Sequence, residues 1–294
     1  MAMTTQDEAT AISRRIARSV QTTIGWIFWD PGAVERFEAL GLPGPLGYIA
    51  SRCAPLAGAG PEAVSAAFGS ISQLGIAIAF EALGSAERFV EFWRARDEAV
   101  VEGLRTFAPS IEPVLVDAGP GLWSVVDRLP RVGRVLFGAV VGMPRPEDPM
   151  LSGWHAVNAL REWRGDTHWA IVVAAGLTHP EASILHNAWL GYDRDWLANS
   201  RGTSPDDLAE GWHLLERRGL VVDGEVTAEG IALRQHLEDE TDRLTAPAWE
   251  IFGLERTAAL ATALEPPCAT LLERVDLTAG PNYQPASRIR PGSD

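Results

Sequence analysis

The stretch from Leu214 to Glu229, LLERRGLVVDGEVTAE, most constrains the fold, because it holds the one convincing hairpin signal in a chain whose other periodicities are helical. Gly219-Leu220-Val221-Val222 and Glu225-Val226-Thr227 flank Asp223-Gly224, a dipeptide suited to a two-residue turn with positive φ at both positions. Upstream, Thr178-His179-Pro180-Glu181 reads as a capping box opening one helix, and Ser204-Pro205-Asp206-Asp207 opens the next. Downstream, Thr227-Ala228-Glu229 opens a long helix. Helix, helix, two-stranded wing and long helix is the order of a winged helix-turn-helix.

The rest of the chain reads as helix. Ile12, Ile16, Val20 and Ile24 set a helical period that runs into Trp26-Ile27-Phe28-Trp29 and the turn Asp30-Pro31-Gly32. Further segments are expected at 45–54, 61–82, 86–107, 120–141, 150–163, 167–175, 180–190, 205–218 and 228–243, bounded by Gly, Pro and capping residues. Pro61, Phe68 and Ser85-Ala86-Glu87 repeat the spacing of Pro205, Trp212 and Thr227-Ala228-Glu229, which predicts an internal duplication. The runs 109–120 and 143–149 read as linkers, the second with three prolines in seven residues. The expected organisation is an N-terminal helical winged-helix-like domain over 10–143, a second over 144–265, and a poorly ordered tail over 266–294.

Composition removes several function classes. All 25 basic residues are Arg, which excludes Schiff-base lysine chemistry and a phosphate-loop lysine. No glycine-rich phosphate loop, dinucleotide fingerprint or nucleophile elbow is present. Cys53 and Cys268 are far apart, form no ligand spacing and read as buried thiols. The first ten residues have no basic region followed by an apolar stretch, and no apolar run is long enough to span a bilayer, so a cytoplasmic chain without membrane contact is expected. The net charge is −14, and Pro205 to Arg243 alone holds eleven acidic residues against four Arg. Phosphate neutralisation drives DNA affinity, so this count predicts that nucleic acid is not a partner.

The densest polar constellation is Trp154 to His168, WHAVNALREWRGDTH. His155 and Glu162 are seven apart and share a helical face, as do Trp154 and Arg161. Gly165 is expected to break the helix, with Asp166 capping the next and His168 in its first turn. His155, Arg164, Asp166 and His168 would then meet at a corner. There Arg52, Arg161 and Arg164 could clamp an anionic group, and Trp154, Trp163 and Trp169 could wall an aromatic body. His155 or His168 is the candidate acid/base, oriented by Asp166. The same trio has the composition of a two-histidine, one-carboxylate metal site, although no standard metal spacing accompanies it, and cofactor and metal stay open. His179, His213 and His236 read as structural or exposed; His186 could face the corner.

The segment Trp154–His168 resembles a tryptophan-histidine motif ending in R-G-D-x-H found in actinobacterial proteins distantly related to the MarR-type winged-helix regulators. Ala50-Ser51-Arg52-Cys53-Ala54-Pro55-Leu56, followed by Pro61, Val64, Ala66 and Phe68, is similar to the same group's N-terminal signature, and the resemblance spans roughly 12–262. Trp163 departs from the group, which places His there. The resemblance implies a mostly α fold of duplicated winged-helix-like, MarR-related halves with one short hairpin wing. Because MarR-like proteins hold aromatic or anionic ligands, it also implies a pocket. The expected function is binding of such a small molecule on a degenerate winged-helix scaffold, as enzyme, carrier or sensor. The alternative is a MarR-type DNA-binding regulator, for which a homodimer is compatible.

Overall fold

Capping chemistry sets where several of the helices begin. The computed structural model describes residues 5–280 and 283–288. Helix α1 (Thr5–Gly25) runs into a 3-10 turn at Trp26–Trp29, and Asp30 accepts from the Gly32 amide at 2.9 Å to open α2 (Pro31–Ala39). Next come α3 (Gly44–Cys53), a 3-10 segment at Ala54–Ala59, α4 (Pro61–Ala67) and α5 (Gln73–Leu83). They are followed by α6 (Ala86–Phe107), α7 (Ile111–Arg128), α8 (Val135–Val141) and α9 (Pro149–Ala174). Thr178 and Glu181 close a reciprocal capping box on α10 (His179–Leu190), and α11 (Trp196–Ser200) follows. Ser204 caps α12 (Pro205–Arg217), and β1 (Val221–Val222) pairs antiparallel with β2 (Glu225–Val226). Thr227 caps α13 (Ala228–Phe252), and α14 (Leu254–Ala279) completes the mostly α-helical fold with its small hairpin.

Two apolar cores form. The larger joins residues of α1 to α9 with the end of α13 and with α14, and is built around Trp26, Phe37, Phe89, Phe92 and Trp154. Helices α7 and α9 approach closely within it. A Cβ on Gly153 would stand 2.2 Å from the Leu115 carbonyl oxygen, so only glycine fits. The smaller core gathers Val172, Leu177, Ile184, Leu185, Leu215, Val221 and Leu237 beneath α10, α12 and the hairpin. At the hairpin tip Asp223 and Gly224 take φ of 51° and 77°, the mirror-image turn that the Asp-Gly dipeptide predicts.

Several expectations need correction. Gly165 does not break the chain: α9 is one helix from Pro149 to Ala174, so no corner exists between Arg164 and Asp166. One glycine costs a helix about 1 kcal/mol relative to alanine, and burial of Trp163, Thr167 and Val172 on either side outweighs it. The span 61–82 is two helices parted at Phe68–Ser72. The linker expected at 109–120 is the first half of α7, with Pro120 inside the helix. Pro120 cannot donate to the carbonyl of Val116, a residue on the exposed side of α7 where water can satisfy that oxygen. Helix α14 continues through Pro266 and Pro267 to Ala279, across the start of the expected tail; residues 281, 282 and 289–294 lie outside the described residues. The duplicated arrangement is absent among the described residues, because α5 occupies the place between Pro61 and Ser85 where a first hairpin would have to lie.

Candidate functional site

Helix α9 is the spine along which the expected site residues are strung. His155 and His168 are thirteen positions apart on it, about 20 Å at 1.5 Å per residue, so they do not share a ligand. His155 is buried in the larger core, where Nε2 stands 2.9 Å from Asp97 Oδ2 and the ring meets Trp93 and Trp154 edge-on. Burial pushes the Asp97 carboxyl up, but Arg96 and His155 outweigh it and hold the group below the usual carboxylate range. Trp154 is buried in the same core and donates Nε1–H to the Thr23 carbonyl at 2.8 Å. No group of three or more His, Cys, Asp or Glu among the described residues is arranged to hold a metal ion.

About two turns further on, α9 reaches a cavity of about 790 Å³ between the two cores. Glu162 accepts there from Arg52 Nη2 at 2.8 and 2.9 Å and from Arg161 Nη1 at 2.7 Å. Burial opposes its ionisation, yet the two guanidinium groups hold its pKa below the usual value. Arg164 reaches Glu238, Asp242 and Thr245 on α13, with the Asp242 contact at 3.0 Å. Asp166 accepts from the Phe137 amide at 2.9 Å in the first turn of α8; it is a tertiary cap, and burial followed by repulsion from Glu162 raises its pKa to about 6.

His168 and Trp169 also face this space. Thr241 spends its only hydroxyl proton on the Leu237 carbonyl at 2.6 Å, so it accepts from His168 Nδ1–H at 2.9 Å. That fixes the tautomer and leaves His168 Nε2 as an acceptor. Burial, then Arg234, lowers the His168 pKa to about 3. Trp169 presses on the backbone of Gly69, where an added Cβ would fall 2.0 Å from the indole, and stacks with His179 at 5.9 Å between centroids. The structure therefore brings Arg52, Arg161, Arg164, Asp166, His168 and Trp169 to one cavity and leaves His155 out of it.

Four cavity residues on α10, α13 and the turn after α11 escape the motif. His186, Arg201, Arg234 and Glu238 all line the space. A signal for part of this was present: Arg234, Glu238, Thr241, Asp242 and Thr245 recur at helical spacing and form a polar stripe turned inward on α13.

The smaller core lies beneath α10, α12 and the hairpin. Arg218, just beyond α12, bonds the Ala175 and Gly176 carbonyls at 3.2 and 3.1 Å, closing the C-terminal end of α9. Arg194 reaches the Gly224 carbonyl at the hairpin tip at 2.9 Å and lies over the Trp212 ring at 4.3 Å. The exposed face of α12 presents Asp206, Asp207, Glu210, His213, Glu216 and Arg217, with Arg217 on Glu210 at 3.3 Å. No helix among the described residues is long and apolar enough to cross a membrane.

No curated protein and no solved structure is similar to the chain. A model described as "Helix-turn-helix family" matches residues 13–278. The match overturns the expectation that nucleic acid is not a partner, since the family's name implies DNA-binding potential. Part of the counted charge belongs to the interior and not to a surface that could meet DNA. Glu238 and Asp242, two of the eleven acids counted, are turned inward against Arg164, Arg234 and Arg14 and face no duplex. With the match covering most of its length, the chain belongs to this helix-turn-helix family.

Proposed function

We propose that the protein is a ligand-responsive DNA-binding regulator of the winged-helix, MarR-like kind. In this reading α10, α12 and the hairpin meet DNA, and the cavity admits a small aromatic or anionic molecule. One observation carries it: α9 and α13 are continuous helices that belong to both places. On α9, Glu162 to Val172 borders the cavity, and Val172 also anchors the smaller core. On α13, Leu237 anchors that core, Glu238 to Asp242 borders the cavity, and Trp249 sits in the larger core. A molecule that shifts either helix would move the DNA-reading unit with it, because packed elements have few intermediate settings.

Family membership supports the DNA half of the reading, and the arginines, neutral histidine and tryptophans around the cavity support the ligand half. The test is selection from a random duplex library followed by anisotropy titration of the enriched site at two salt concentrations. The reading expects affinity tighter than about 1 µM, falling steeply as salt rises. Failure to enrich any sequence, or affinity indifferent to both sequence and salt, would sink it.

A further inference from the structure

The charges around the cavity do not balance. Arg52 and Arg161 bond Glu162, and Arg164 and Arg234 bond Glu238. Arg201, which lines the same space and is partly buried, forms no ion pair among the described residues. Its guanidinium has a 3.4 Å hydrogen bond from Nη1 to Ser183 Oγ. An arginine cannot shed its proton at neutral pH, so a cation withdrawn from water without a counter-ion is a standing electrostatic cost. Burial, then Arg234, lowers its pKa to about 10, which leaves it fully charged near neutrality.

The backbone that carries the side chain is nonetheless held in place. Its carbonyl accepts from the Ser72 amide at 3.1 Å, tying the turn after α11 to the start of α5, and its amide bonds the Leu197 and Ala198 carbonyls at 3.2 Å each. A preorganised, unpaired cation is what an anion subsite needs. Around it stand neutral imidazoles. His168 offers Nε2 as an acceptor, and burial together with Arg234 and Arg201 keeps His186 uncharged as well. Apolar walls follow: Trp196 meets Tyr283 at 5.5 Å, Trp29 meets Tyr283 at 5.6 Å, and Trp189 lies beside His186.

We infer that Arg201 anchors a subsite for a single negative charge, a carboxylate carried on a flat aromatic body that lies between the Trp196–Tyr283 wall and the His168–His186 pair. A guanidinium fork pairs with the two oxygens of a planar carboxylate in parallel. The inference rests on the ligand half of the proposed function and not on its DNA half. It also moves the anchor from Arg52 and Arg164, both of which are already engaged by protein carboxylates.

Calorimetric titration of the full chain with 2-naphthoate and with its neutral counterpart 2-naphthamide tests this without DNA. The expected result is naphthoate binding at least about tenfold tighter than naphthamide. Arg201→Gln should lose at least about tenfold in naphthoate affinity with naphthamide unchanged, while Arg94→Gln on the exposed surface of α6, away from the cavity, should leave both ligands as in the wild type. If Arg201→Gln does not fold, the wild-type preference for the charged ligand still decides. Equal affinities for the two ligands, naphthoate binding indifferent to Arg201→Gln, or no naphthoate binding by the wild type up to about 5 mM would each overturn the subsite. Equal affinities would leave the cavity as an apolar receptor, and absence of DNA binding would end the regulator reading while leaving the subsite standing.

Discussion

At the scale of single residues, the histidines in and beside the cavity tie the molecule to pH. The unfolded imidazole titrates near 6.5, whereas folded His168 sits near 3 and His179 near 4, and burial lowers His186 as well. Between those values the unfolded chain binds more protons than the folded one. The stability these neutral rings contribute is therefore complete above about pH 6.5 and is lost as pH falls toward 4. Asp166 acts in the opposite sense: raised from 3.8 to about 6, it stays protonated in the fold where the unfolded chain has ionised, so it offsets one histidine in part of that window. Burial raises Asp242 as well, and three imidazoles against these two carboxyls still leave a net loss on acidification. Urea unfolding between pH 6.5 and 4.5 should show it, and His168→Gln should reduce the slope by up to about 1.4 kcal/mol per pH unit. Identical slopes in the two proteins would mean that His168 is protonated in the fold.

Residue roles were legible in the sequence only where they are local. Thr178, Ser204 and Thr227 announced their caps because a cap bonds within three residues of itself. Asp166 looked like another cap, and it is one, but for α8, almost thirty residues earlier in the chain. His155 and His168 looked like partners because they lie in one short motif, and a straight helix separates them. Arg201 gave no signal at all, since its surroundings come from Ser72, Ser183, Arg234 and Tyr283.

At the scale of elements, the hairpin was readable and the long helices were not. The Asp-Gly turn and its flanking valines specify a hairpin from seven residues. Gly165, Pro120 and the Pro266–Pro267 pair each carry a local preference against helix, and tertiary burial overrode every one of them. The reading of α9 as one rod makes a definite demand. A Cβ at Gly165 has its nearest neighbour, Glu162 Oε2, at 3.7 Å, which is ordinary contact. Gly165→Ala should therefore stabilise the protein by about 0.5–1 kcal/mol in urea unfolding, through lower unfolded-state entropy and better helix propensity. Destabilisation by a similar amount would restore the broken helix that the sequence suggested.

At the scale of the whole molecule, two cores share two helices, and the space between them is walled by more guanidinium groups than carboxylates. The sequence revealed the helical class, the hairpin of the C-terminal part and the richness of arginine near the motif. It could not reveal the cavity, because the walls come from α1, α3, α9, α10, α11 and α13 and meet only in the folded chain. The central claim is that the cavity and the DNA-reading unit act on one another through α9 and α13. Anisotropy titration of the selected duplex, with and without saturating 2-naphthoate, tests it most directly. The account predicts a change in DNA affinity of at least about fivefold, the lower end of ordinary coupling between sites. DNA binding that is the same in both titrations, with the cavity occupied in one of them, would contradict it.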